Sequence, residues 1–433
     1  MSKRHSLIIP TLGADHKQAL LIWASKRLQC CWLDGKGFNA GATDRIGLLG
    51  VGSLAELHTH RESFSALDRF MDNRQDWLFG FLSYDLKNEI ENLDSSNQDT
   101  FKLPHLHFFC PEFVFDLRID HVQIHYPECF SESTVRAMWD TVVKTPIESV
   151  KTAHRVGDVL CNFNKEEYIE RVQQILRHIQ QGDIYEMNFC VDFTARLNSL
   201  DPASFFLAFK NAVPNPFACF YRYRDHYLMG ASPERFFKKT NDILYSQPMK
   251  GTSRRGKDAV EDAAFKTRLF NDEKERAENV MIVDLVRNDL SKIAARGSVK
   301  VDELFGMYTF PHVHQMISTV SAQIRKDVFF TDIVKALFPM GSMTGAPKIR
   351  AMQVIDALER NSRGLFSGSV GYIDPAGDMD FNVVIRSMQY QADSGMLSYH
   401  AGSAITANSH PEAEYEECLL KASAFLTFME KNT

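Results

Sequence analysis

Two glutamate pairs of the same spacing, Glu275 with Glu278 and Glu414 with Glu417, lie in stretches whose pattern predicts helix, NDEKERAENVMIVDLVRNDL and PEAEYEECLLKASAF. A spacing of three puts both carboxylates of a pair on one helical face, about 5–6 Å apart at Cβ. Brought face to face, the two pairs make an oxygen-rich cage for a hard divalent cation such as Mg²⁺, which takes one or two protein carboxylates and leaves positions for water and substrate. The same residues also fit an ordinary helix start. Asp272 with Glu275 matches an N-cap and its partner three residues on, and an acidic first turn suits the helix dipole.

QPMKGTSRRG places Lys250 at a strand end before a Gly-Thr turn. Desolvated, or crowded by cations such as Arg254 and Arg255, a lysine there has a lowered pKa and becomes a nucleophile; in water it is a strand-end charge. In MGASPERF, Glu234 follows an apolar strand in a Ser-Pro turn. On a pocket wall it would keep its proton and donate it to a leaving hydroxyl, and in solvent it is a turn acid. FPMGSMTGAPKIRAM is a glycine loop opening a helix with Pro347 at its first position, and the free N–H groups there suit an anion. Ile349 after Lys348 departs from the Walker A order, which favours a carboxylate over a nucleotide phosphate. Arg386 follows three apolar residues and either clamps a carboxylate from a cavity wall or pairs with a buried acid. His314 is either a substrate-binding group or a satisfied strand histidine.

The elements that must position these residues are those of a large globular protein. The chain has 433 residues, 44% hydrophobic and 24% charged, enough apolar material for an extensive core. Its net charge of −6, with no dense Lys/Arg block, excludes nucleic acid as a partner. No apolar run approaches the roughly 18 residues of a membrane span. Pro10 and Gly13 cut the first apolar run before a secretory core can form. The eight cysteines are scattered without a CxxC and read as reduced, mostly buried thiols of a cytoplasmic protein. The pattern predicts helices near 132–143, 201–212, 259–292, 331–339, 346–360 and 411–430, and another capped by Asn164 and closed by Gly182. It predicts a hairpin over 113–126, strands within 217–249, and strands near 298–309, 312–325, 367–374, 380–391 and 396–403. This is an α+β protein with large, mostly antiparallel β-sheets. A polar, patternless stretch over 145–158 reads as a joint between 1–150 and 151–433.

In order along the chain, GDIYEMNF, SPERF, PMKGT, DEKERAENVMIVDLVRNDL, HVHQMIS, GSMTGAPKIRAM, VGYIDPAGDMDFNVVIRS and EYEECLLKASA resemble the motifs of the chorismate-utilising enzymes. The resemblance implies a β-sandwich flanked by helices. Residues 1–150 would form an N-terminal α+β part able to hold an effector or structural amino acid, and 151–433 the chorismate-binding catalytic region, the two intertwined in one unit. It implies Mg²⁺ at Glu278 and Glu417, with Glu275 and Glu414 acting directly or through water, and a ring carboxylate held by the metal near Lys421. Arg386 and Tyr372 would bind the enolpyruvyl carboxylate, and Thr252, Ser342, Gly402 and His314 would line the rest of the pocket.

Lys250 stands where the anthranilate-forming branch usually has alanine. It resembles the branch that aminates chorismate at C4 to 4-amino-4-deoxychorismate for 4-aminobenzoate and folate synthesis. There the lysine attacks C2, Glu234 protonates the departing C4 hydroxyl, and ammonia enters at C4. Glu186 departs from the glutamine usual in ammonia-using branches and from the lysine of water-using ones; a carboxylate there can bind ammonium or deprotonate the amine. No glutamine amidotransferase signature occurs in the chain, so the resemblance implies ammonia from a separate amidotransferase subunit. Formation of 2-aminobenzoate and a non-catalytic chorismate-binding role are the alternatives.

Overall fold

Strand Gln29–Asp34, QCCWLD, is apolar almost throughout because both of its faces are covered. Cys30 and Trp32 point into one core cluster, and Cys31 and Leu33 into another, following the two-residue alternation of a strand. The computed structural model describes residues 4–10, 13–35, 44–72, 74–147, 153–310 and 313–433. Among them the strands form a 12-stranded and a 10-stranded sheet, and the named strands pair antiparallel. The sheets stack through an aromatic core that includes Phe79, Phe81 and Tyr372 from one and Tyr221 and Phe217 from the other, with Phe81 and Tyr221 edge to face at 5.3 Å.

Helices cover the two outer faces. Lys165–Gln180, Pro202–Ala212 and Pro411–Asn432 pack on the larger sheet, while Glu273–Ser291 and Phe330–Leu337 pack on the smaller. The expected α+β sandwich flanked by helices is therefore the fold. In each sheet the strands from before the 145–158 stretch form one block and those from after it another, joined where Gln29–Asp34 pairs with Phe217–Tyr223 and where Leu78–Leu82 pairs with Ser369–Ile373. Residues 148–152 of that stretch lie outside the described residues. No described helix is long and apolar enough to cross a membrane. All eight cysteines are free, six of them buried.

Two expected elements are divided. The helix expected over 259–292 is two helices, Ala259–Phe270 and Glu273–Ser291, because Asp272 leaves helical geometry and caps the second, accepting the Glu275 N–H at 3.1 Å. The strand expected over 380–391 is also two: Met379–Asn382 lies in the smaller sheet and Ser387–Gln391 in the larger. The chain crosses between sheets at Val383–Arg386, where Arg386 takes a φ of 49°. A second crossing runs from His226–Ser232 in the larger sheet to Arg235–Thr240 in the smaller and carries Glu234. The two crossings hold each other through Val383 N–H to the Glu234 carbonyl at 3.0 Å and Ala231 N–H to the Arg386 carbonyl at 3.1 Å. Glu234 and Arg386 thus arrive at the same place between the layers.

Candidate active site

A cavity of about 610 Å³ opens there, within the range of small-molecule sites. Glu234, Lys250, Thr252, Glu275, Glu278, Ser342, Arg386, Gly402, Glu417 and Lys421 line it, bringing together ten of the residues singled out in the sequence. Glu186 and Glu414 are buried beside the wall.

Lys250 reaches the cavity from strand Met249–Arg254, whose register with its neighbour shifts between Met249 and Thr252. Such irregularities re-aim a side chain. Gly251 follows with φ +82°, and a Cβ there would stand 3.2 Å from Glu275 Oε2, so the close approach of strand and carboxylate helix needs glycine. The Lys250 ammonium donates to Glu186 Oε1 at 2.7 Å and lies 3.5 Å from Glu278 Oε2, with the side chain 10% exposed. Burial alone would lower its pKa, but the charges of Glu186 and Glu278 outweigh burial and hold it above the ordinary lysine value. The expected lowering by neighbouring cations is not what the fold provides. Arg255 is engaged by Asp262 in two hydrogen bonds, and Arg254 stacks over Phe265 with most of its side chain in solvent.

Glu234 is buried and accepts a hydrogen bond from Ser342 Oγ at 2.8 Å. Desolvation pushes its carboxyl up to about 7, against the opposing pull of Ser342 and Lys250. Ser342 comes from the turn Gly341–Met343 of the glycine loop, so that loop supplies a donor to the acid. The helix it opens begins at Lys348, with Pro347 one position earlier than expected, as the N-cap. Arg386 also lines the cavity. Among the described residues its guanidinium has no carboxylate partner, and burial pushes its pKa down. A desolvated cation facing a cavity is a ready receptor for an anion.

The acidic end joins the helices Glu273–Ser291 and Pro411–Asn432. Lys274 bridges them at 3.9 Å from both Glu278 Oε1 and Glu414 Oε1, and Glu417 pairs with Lys421 at 2.7 Å. Desolvation, then the charges of Glu186 and Glu275, carry Glu278 to about 7 in spite of Lys250. Glu414 Oε2 is buried without a hydrogen-bond partner. An excess of desolvated carboxylate oxygens suits a hard divalent cation in donor chemistry. Among the described residues no three acidic, histidine or cysteine side chains converge at ligating distance.

Two expected residues lie elsewhere. Tyr372 is packed in the aromatic core against Trp77 and Phe79, and its hydroxyl accepts from Arg45 at 2.9 Å. Phe366, six residues earlier, lines the cavity in its stead, stacked on His400 at 4.8 Å. His314 gives its ring nitrogens to Thr309 and Asp262, each at 3.0 Å, and is not on the cavity wall. Asn188, Tyr399 and His400 line the cavity without having been singled out. Asn188 was within reach of sequence reasoning, since it stands two residues after Glu186 in a predicted strand and so shares its face.

The description of chorismate binding enzymes matches residues 31–427 of the chain. Aminodeoxychorismate synthase component 1 of Escherichia coli (strain K12) is 36% identical over 352 residues, 81% of this chain and 76% of that protein. Anthranilate synthase component 1 2 of Haloarcula marismortui is 35% identical over 398 residues, 85% of this chain and 71% of that one. Among solved structures, anthranilate synthase component I from Streptococcus pneumoniae TIGR4 superposes with a TM-score of 0.77 at 26% identity, covering 90% of this chain and 94% of that one. Because the match runs through every segment that lines the cavity, the chain belongs to the chorismate binding enzymes.

Proposed function

We propose that the protein aminates chorismate at C4 with ammonia, giving 4-amino-4-deoxychorismate and water through a covalent intermediate on Lys250. The observation that carries this reading is a cavity lysine hydrogen-bonded to a buried carboxylate, Glu186, in the same site as a buried carboxyl group whose pKa is pushed up to about 7, Glu234. Chorismate has two carboxylates, so it must be held at two points before a bond breaks. Arg386, which has no carboxylate partner among the described residues, takes the enolpyruvyl carboxylate. Mg²⁺ held by Glu278 and Glu417, with Glu275 and Glu414 beside them, would supply positive charge for the ring carboxylate near Lys421.

Lys250 passes a proton to Glu186 across their hydrogen bond, and its amine attacks C2. The ring double bond shifts and the C4 hydroxyl leaves as water with the proton of Glu234. Ammonia then adds at C4 and yields a proton to Glu234 as the lysine leaves, recovering its own proton from Glu186. Ammonia comes from a glutamine-hydrolysing partner, a reading supported by the component 1 designation of the bacterial relative.

The test is to incubate the chain with chorismate, Mg²⁺ and ammonium and identify the product by mass. A product in which NH₂ replaces the hydroxyl and the enolpyruvyl group remains is expected. Formation of 2-aminobenzoate, the product of the alternative branch, would overturn the assignment.

Glu234 gives a pH signature. It acts only while protonated, so with free ammonia held constant the rate is expected to fall as pH rises through about 7. Glu234→Gln should remove that limb and lower turnover by about 10²–10⁴-fold, the usual range for an acid catalyst. A variant that keeps the wild-type rate and profile sinks this role.

A further inference from the structure

Behind the cavity wall lies an ion pair with no part in the steps above, Arg363 with Glu359, both almost wholly buried. A guanidinium has five N–H donors in a fixed plane, and here all five are used. Nε and Nη2 bind the two oxygens of Glu359 at 2.9 and 2.6 Å, Nη1 donates to the Met343 carbonyl at 2.7 Å and the Ser367 hydroxyl at 3.0 Å, and Nη2 also reaches the Asn188 carbonyl at 3.1 Å. Glu359 Oε1 in turn accepts the Cys190 N–H at 2.9 Å. Two side chains thereby tie together strand Glu186–Ser199, turn Gly341–Met343 and the 363–367 turn, each of which supplies cavity wall in Asn188, Met343 or Phe366.

The tie continues to the reacting end. Asn188 Nδ2 donates to the Ser342 carbonyl at 3.1 Å, and Ser342 Oγ donates to Glu234 Oε1 at 2.8 Å. Apolar residues of similar volume often stabilise a core as well as a buried ion pair does. Five fixed hydrogen-bond directions are what they cannot supply. We propose that Arg363 and Glu359 are positioning residues, acting through Asn188 and Ser342 to hold the Ser342 hydroxyl on Glu234 during turnover. This rests on Glu234 being the acid.

The test uses the full chain with chorismate binding measured by calorimetry and turnover at saturating chorismate, Mg²⁺ and ammonium. Arg363→Lys keeps the charge opposite Glu359 but loses the planar fork. A displacement of about 1 Å can cost about 10² in rate, so kcat is expected to fall about 10–100-fold while Kd changes by less than about threefold. Asn188→Ala is expected to lower kcat similarly. The double variant should be no slower than the slower single by more than about twofold, since both act through one chain of contacts. Wild-type kcat in Arg363→Lys, losses that multiply in the double variant, or a parallel loss of binding and kcat in Arg363→Lys would each overturn the proposal. If Arg363→Lys does not fold, Asn188→Ala decides, and an unchanged kcat overturns it. Glu234→Gln measured alongside separates the premises: wild-type turnover there means the acid assignment has failed, whereas a slow Glu234→Gln beside a normal Arg363→Lys removes only the positioning role.

Discussion

Replacing Lys250 with alanine is expected to lower amination by about 10³-fold or more, the scale of losing a covalent nucleophile, while chorismate still binds. The substitution also has a structural cost that must be separated from the chemical one. Lys250 is the cation between Glu186 and Glu278, at 2.7 and 3.5 Å. Glu186 Oε2 already lacks a partner, so without the ammonium a buried carboxylate is left uncompensated. Breaking such a pair costs about 3–5 kcal/mol unless the survivor takes up a proton. Lys250→Met combined with Glu186→Gln removes both charges and should recover most of the melting temperature without recovering turnover. Rapid turnover in that double variant would show that the lysine is not the nucleophile. In the wild type, omitting ammonia should leave a peptide containing Lys250 heavier by chorismate less water.

The difference between Lys250 as read from sequence and as folded shows where sequence reasoning stops. The residue, its strand and its Gly-Thr turn were legible because each has a local signature. The sign of its pKa shift was not, because it is set by Glu186, 64 positions away, whose carboxylate arrives only when the two sheets stack. The same holds for the acidic end. The spacing of three within each glutamate pair is local, but Lys274 between Glu278 and Glu414 is a fact of how two distant helices meet.

Tyr372 and Phe366 make the complementary point. A tyrosine in a motif invites a polar role, yet strand alternation sends this one into the aromatic core. Phenylalanine carries no chemical signal, although Phe366 is one of the rings that line the cavity. The architecture itself was legible, since apolar runs on strands and amphipathic helices report burial directly. The division of 380–391 into two strands was not. An unbroken apolar pattern persists across Val383, Val384 and Ile385 because the crossing between sheets is itself buried.

Arg386 sits at the end of that crossing, and its replacement is expected to move stability and binding in opposite directions. Its guanidinium faces the cavity without a carboxylate partner among the described residues, and its backbone holds a left-handed φ of 49° that costs a non-glycine residue about 1 kcal/mol or more. Arg386→Met removes the uncompensated charge and is expected to raise the melting temperature of the ligand-free protein. Arg386→Gly also relieves the backbone but adds freedom to the unfolded chain, two effects of similar size, so its melting temperature is expected close to that of Arg386→Met. Both variants would lose the carboxylate contact proposed for Arg386, a loss worth about 2–5 kcal/mol when one partner of a desolvated charged pair is truncated. The dissociation constant for chorismate should therefore rise by about 30-fold to a few thousand-fold. Chorismate stabilises only the form that binds it, so a concentration that raises the wild-type melting temperature should leave both variants almost unmoved. If instead either variant is destabilised and binds chorismate normally, Arg386 holds the crossing together and the anion is bound elsewhere.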